Sequence, residues 1–198
     1  MNTEAAVERG FALINWLAAE LNGLPVEASL RNQLSAACLS IAQDHHAGVI
    51  VLLERGLFAS AVALVRTQYE AYVRGVWLAH CASEGQLQRF ARGGKPPPIA
   101  SQLASIETHE AYREGQLSSI KLASWSAMCS FTHTGTLQVD RWLTAEAIEQ
   151  NYPAEDLVQT ANFTGAIALL SGIAMAALAG REELAQRLLA KSKEHAAA

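Results

Sequence analysis

The chain is poor in charge. Only 17% of its 198 residues are Asp, Glu, Lys or Arg, against 51% hydrophobic. The charge it has carries no basic excess. The net is −4, which disfavours broad contact with nucleic-acid phosphates but leaves room for a local basic pocket. Cysteine is scarce as well. Cys38, Cys81 and Cys129 are an odd number, widely spaced and set in apolar helical segments, with no C-x-x-C among them. That pattern argues against a paired-cysteine zinc site and predicts buried free thiols in a reducing compartment. Neither Glu-x-x-His nor His-Glu-x-x-His occurs, which removes the di-iron carboxylate bundle and the helical zinc site. No stretch alternates as a strand, so no glycine-rich phosphate loop has a strand to follow. The sequence therefore points to no cofactor and no metal.

Targeting signals are missing too. The N-terminal MNTEAAVERG has no basic region followed by an apolar core, so no signal peptide is expected. The best membrane candidate, Ala161–Ala179, contains Asn162, Thr164 and Ser171 and lacks basic or aromatic anchors. It is expected as a buried bundle helix. A cytoplasmic protein with no membrane partner follows as the expectation.

What is present is helical periodicity almost throughout. The first helix is expected at about 5–21, ending in Asn22-Gly23 with Pro25 beyond. Two long helices, about 27–55 and 57–82, flank Gly56 and should form an antiparallel hairpin. A shorter piece at 84–91 meets Gly93-Gly94-Lys95-Pro96-Pro97-Pro98, which cannot continue a helix. Short pieces at 99–106 and 110–115 precede a fuller helix at 118–131. There Thr132-His133-Thr134-Gly135 reads as a helix end with a glycine cap. Residues 137–143 are expected as a short element, Thr144 as the cap of a helix at 145–150, and Pro153 as the opening of a long helix to Ala179. Gly180 separates that helix from an amphipathic tail at 181–194. The fold class is thus an all-α, single-domain helical bundle spanning 1–198.

The stripe of charge in the 57–82 helix is the most informative local feature. Arg66, Glu70, Arg74 and Trp77 stand at i, i+4, i+8 and i+11, within roughly 80° of one another on a helix. The surrounding residues are Ala, Val, Leu, Tyr and Trp, so the stripe is expected to be buried and internally paired. On that footing Glu70→Ala should cost on the order of 3–5 kcal/mol. His46 and Arg66 each lie ten residues from Gly56, at one level of the hairpin. His46 shares a face with Val49, Ile50 and Leu53 and should point inward; it is either a core histidine or a ligand-binding one. His133 sits at a helix C-terminus between two threonines, where the helix dipole favours an imidazolium. His133, Arg66, Glu70 and Arg74 are the candidate catalytic residues. His46, Trp77, Thr134 and Gln138 are the candidate ligand contacts.

The run from His46 through Glu54-Arg55-Gly56-Leu57, Ser60-Ala61 and Leu64-Val65-Arg66 to Glu70, Arg74-Gly75 and Trp77-Leu78, with Trp125 and Ser130–Gln138 later, resembles an uncharacterised bacterial all-α family. That family is distantly similar to the HEPN superfamily. The resemblance implies a helical bundle, frequent dimerisation, and ribonuclease activity in toxin–antitoxin or phage-defence settings. HEPN ribonucleases pair an Arg with a His across a spacer of four to six residues, and Arg74…His80 has such spacing. Gly75 stands where active members usually carry a polar residue, and an i, i+6 pair on one helix diverges by about 120°. Two functions are therefore expected in competition. One is a non-catalytic dimeric module binding a protein partner or small anion. The other is an enzyme acting on RNA or a nucleotide, with Arg66 and Arg74 on phosphate oxygens and His133 or His46 as acid–base. In either, Arg66, Arg74 and His133 should matter and His80 should not.

Overall fold

The computed structural model describes residues 2–197. Helix accounts for 76% of the chain. Nine α-helices are present among the described residues: α1 (Thr3–Leu21), α2 (Leu30–Glu54), α3 (Phe58–His80), α4 (Glu84–Ala91), α5 (Ile99–Ile106), α6 (Gln116–Thr132), α7 (Thr136–Asp140), α8 (Ala154–Leu178) and α9 (Glu182–Ala197). Short polar side chains set several starts. Asn2 accepts from Ala5 N at 2.8 Å, Ser29 accepts from Asn32 N at 3.2 Å, and Ser83 with Gln86 closes a capping box, each satisfying an orphan helix donor. At the start of α6 the acceptor is remote in sequence. Glu107 takes Ser118 N at 2.8 Å and Ser118 Oγ at 2.7 Å, placing a carboxylate at the positive helix end.

The α2–α3 hairpin turns at Gly56, whose φ of 69° is left-handed and suits glycine. The two helices touch closely because Gly75 has no side chain: a Cβ there would lie 2.8 Å from Leu39 Cγ. Ser35 Oγ donates to Gly75 O at 2.8 Å beside it. Helix α8 lies against α1, α2, α3 and α9. It is tied to the hairpin by Gln43 Nε2 on Ala168 O at 2.7 Å and Gln68 Nε2 on Thr164 O at 2.9 Å. The main core joins α2 and α3 to α4, α5, α6 and α8 through Leu39, Tyr69, Leu87, Leu103, Leu117 and Ile167. By length and composition α2 and α8 are each apolar enough to cross a membrane, yet 39% and 50% of their apolar windows is buried in the bundle.

Three expectations change. Residues 145–150 are not helical. Thr144 instead closes a turn, accepting from Ala147 N at 3.0 Å and donating to Ala147 O at 3.1 Å, and Leu143 pairs with Ile148 in an isolated antiparallel bridge. The hydroxyl that would cap a helix here satisfies a turn instead. The second change concerns the 132–135 cap. Thr134, with φ 54°, takes the left-handed position. Gly135 is needed for a close approach, since its Cβ would lie 2.9 Å from Ser130 Cα. Third, residues 110–115 form only a 3-10 turn at Glu110–Tyr112.

Candidate functional site

Helix α6 packs antiparallel to α3: Thr132 Oγ1 donates to Ala63 O at 3.2 Å, and Tyr69 OH donates to Leu117 O at 2.7 Å. This brings the end of α6 beside the start of the charged stripe. Arg66 Nε donates to Glu70 Oε1 at 2.8 Å, and Arg66 Nη1 lies 2.6 Å from His133 Nε2. A guanidinium only donates, so Nε2 of the imidazole is the acceptor in this contact. The Arg66 Cζ also sits 4.7 Å from the centre of the Trp125 ring, and Lys121 Nζ sits 5.3 Å from that ring, both within cation–π range.

Arg74 is less firmly held. Its Nη2 is 3.9 Å from Glu70 Oε2, and its buried Nε has no partner. Side-chain exposures of 20%, 25% and 27% for Arg66, Glu70 and Arg74 correct the expectation of a closed, buried network. The stripe is paired but open on one side, because α6 covers only part of it. Two guanidiniums, Arg66 and Arg74, thus share one carboxylate beside an imidazole, and Lys121 lies over the same indole as Arg66. That arrangement offers charge and donors to an anion.

The other expected contacts go elsewhere. His46 is 1% exposed and faces α8, with Nδ1 3.2 Å from Thr164 Oγ1, so it is a core histidine. Its level matches Arg66, but the hairpin turns the two toward different neighbours. Burial first, and the positive field of His195 second, lower its pKa to about 4. Trp77 is 3% exposed and joins the main core, because α4 and the proline loop close over that end of α3. Gln138 Nε2 donates to Ala59 O at 3.3 Å and ties α7 to α3. Thr134 is exposed next to His133. His80 lies at the opposite end of α3, its ring 4.9 Å from that of His109 and 6.3 Å from Tyr112. Desolvation, then His109 and Arg31, push its pKa down.

Sequence reasoning missed Lys121 and did not place Trp125 on the stripe. A signal was there. Lys121 and Trp125 stand four apart on one helix, so they share a face, just as Arg66, Glu70 and Arg74 do on α3, and His133 follows at the end of that helix.

The fold and site define an all-α bundle with a partly open cationic cluster at a two-helix seam. Residues 39–198 match a family of unknown function, DUF6988, and the chain belongs to that family. No curated protein and no solved structure matches it.

Proposed function

We propose that this chain is a non-catalytic helical module that binds a small anion, or an anionic group on a partner protein, at Arg66, Arg74 and His133. The observation that carries this reading is the pairing of two guanidiniums, Arg66 and Arg74, with the single carboxylate of Glu70, about a quarter exposed to solvent, with Lys121 over the Trp125 ring that Arg66 also meets, on a chain whose net charge is −4. An anion there would relieve the excess positive charge and use donors that Glu70 leaves free. Inorganic phosphate should raise the melting temperature of the parent, since a ligand that binds the folded state stabilises it. Absence of any phosphate-dependent rise removes the reading.

The same contact supports a second reading, an enzyme acting on RNA or a nucleotide. Arg66 would hold a phosphate oxygen while His133, at hydrogen-bond distance from it, moves a proton. RNA cleavage by the parent that disappears in His133→Ala favours this reading over the module.

A homodimer belongs to both readings. Leu137, Val139, Leu143 and Ile148 are 45%, 42%, 50% and 80% exposed along one segment, an apolar surface that a second copy would cover. A monomeric mass by light scattering at micromolar concentration would rule the dimer out.

A further inference from the structure

We propose that the notch where α4 and the proline loop close over the end of α3 binds a small planar organic anion, a carboxylate or phosphate ester carried on one ring. Its lining includes Trp77 from α3, Arg89 and Phe90 from α4, and Lys95, Pro96 and Pro97 from the loop. Trp77 stands eleven residues beyond Arg66, about 16 Å along the helix, so the notch is a separate place from the Arg66 cluster.

Two cations are held together there. Gly94 N donates to Arg89 O at 2.9 Å, and a Cβ on Gly94 would collide with Arg89 Cγ. The loop therefore lies directly on the arginine stem, and Lys95 is its next residue. Gln102 Nε2 donates to Pro97 O at 2.7 Å, which ties the other side of the loop to α5. Arg89 and Lys95 are both exposed, and neither is in an ion pair among the described residues. The one acid on α4, Glu84, bonds Arg31 at 2.9 Å and lies about 140° round the helix from Arg89. The carbonyls that end α4 are closed by the N–H groups of Arg92, Gly93 and Gly94, so neither cation is spent on them. Like charges set together with no carboxylate between them repel, and an anion relieves that.

The rest of the lining narrows the anion. Phe90, Pro96 and Pro97 are half-buried and apolar, and they offer flat surface beside the charges. The notch has a volume of about 150 Å³, below the usual range for drug-sized ligands. It admits one ring with its acid group and is too small for a nucleotide. A guanidinium suits both parts of such a ligand, since it pairs with carboxylate or phosphate and stacks on rings. A ringless anion would leave the apolar walls uncovered, and a neutral ring would leave both charges unpaired.

Benzoate and phenyl phosphate are the probes, and the tighter of the two identifies the acid group. Neutral benzamide, ringless acetate and inorganic phosphate are the controls. Titrations of the full chain followed by amide NMR shifts should rank both probes above all three controls, with the shifts centred on α4 and the proline loop. Added sodium chloride should weaken the probes and leave benzamide unchanged. Arg89→Gln and Lys95→Gln are surface changes that keep the fold. Each should weaken both probes by about five- to tenfold, the worth of one hydrogen bond, while Arg66→Ala leaves them bound. Benzamide binding as tightly as benzoate would overturn the proposal, as would acetate and inorganic phosphate matching the probes. So would full affinity in both Arg89→Gln and Lys95→Gln. Loss of the probes in Arg66→Ala, or shifts centred on α6, would place them at the Arg66 cluster and overturn it as well.

Discussion

The Arg66 guanidinium meets His133 Nε2 at 2.6 Å across 67 residues of sequence. The contact joins the middle of α3 to the C-terminal end of α6, and it completes a site that neither helix holds alone. Glu70 orients Arg66 through Nε, Trp125 lies against its Cζ, and His133 takes Nη1. The guanidinium is therefore fixed on three sides before any ligand arrives, which lowers the ordering cost of binding.

Arg66→Ala and His133→Ala should each abolish the phosphate-dependent rise in melting temperature. His80→Ala should keep it, because that ring lies against His109 and Tyr112 at the other end of α3. Differential scanning fluorimetry with a phosphate titration checks all three variants. Loss confined to His80→Ala would move the site to the Arg74…His80 pair.

Glu70→Ala should cost only about 0.5–1 kcal/mol of stability. Both of its ion pairs are part-exposed, at 2.8 and 3.9 Å, and pairs of that kind are weak. The buried-pair figure of roughly 3–5 kcal/mol does not apply to an open stripe. Glu70→Gln should tighten phosphate binding, since it removes the one carboxylate that competes with the anion. Urea melts and phosphate titrations of the two variants test this; weaker binding in Glu70→Gln would show that the carboxylate's orienting role outweighs its charge.

Much of the fold was legible because its signals are local. Gly56 turns the hairpin, the 93–98 Gly/Pro run breaks the chain, and Pro153 precedes α8, all from backbone preferences of single residues. Residues 84–91 and 99–106 fall on α4 and α5 as expected. The 145–150 segment was misjudged because the Thr144 hydroxyl suits a turn as well as a helix cap. The site was legible only in halves. Arg66, Glu70 and Arg74 declare themselves by spacing, but their exposure depends on how far α6 covers α3, a tertiary quantity. His133 could be suspected from its helix end, whereas its contact with Arg66 spans three intervening elements, α4, α5 and the 3-10 turn at Glu110–Tyr112.

Gly75→Ala should destabilise the protein by about 1–3 kcal/mol, the usual cost of overpacking, although alanine is the better helix former. Its Cβ would come within 2.8 and 2.9 Å of Leu39 Cγ and Cδ2, and 3.3 Å of Leu39 N. Leu39 is fully buried and has no free space to yield. The position after Arg74 therefore faces α2 and serves packing, so a polar residue would not turn toward the anion site. Thermal melts of Gly75→Ala beside Gly85→Ala, where a Cβ meets nothing, separate packing from propensity. Equal stability of the two variants would refute the close approach.

Stability should fall as the pH drops from about 6.5 toward 4, and His46 is the main cause. Burial holds its folded pKa near 4, against 6.5 for the free side chain. Its Nδ1 is committed to Thr164, its Nε2 has no partner, and His195 lies near enough to add to the shift. Between these two values the unfolded chain takes up a proton that the folded one refuses. The unfolded state then binds more protons, so stability rises with pH across that window. The contribution is complete above about 6.5 and lost once the pH passes below about 4. A shift of this size corresponds to about 3 kcal/mol. His45 and His80 are shifted in the same direction and add to the slope. His46→Asn keeps a polar group near the Thr164 hydroxyl and removes the titration. Chemical denaturation at steps between pH 4 and 7 should show a steep loss in the parent and a clearly shallower one in His46→Asn. Parallel slopes would show that acid acts on the protein elsewhere.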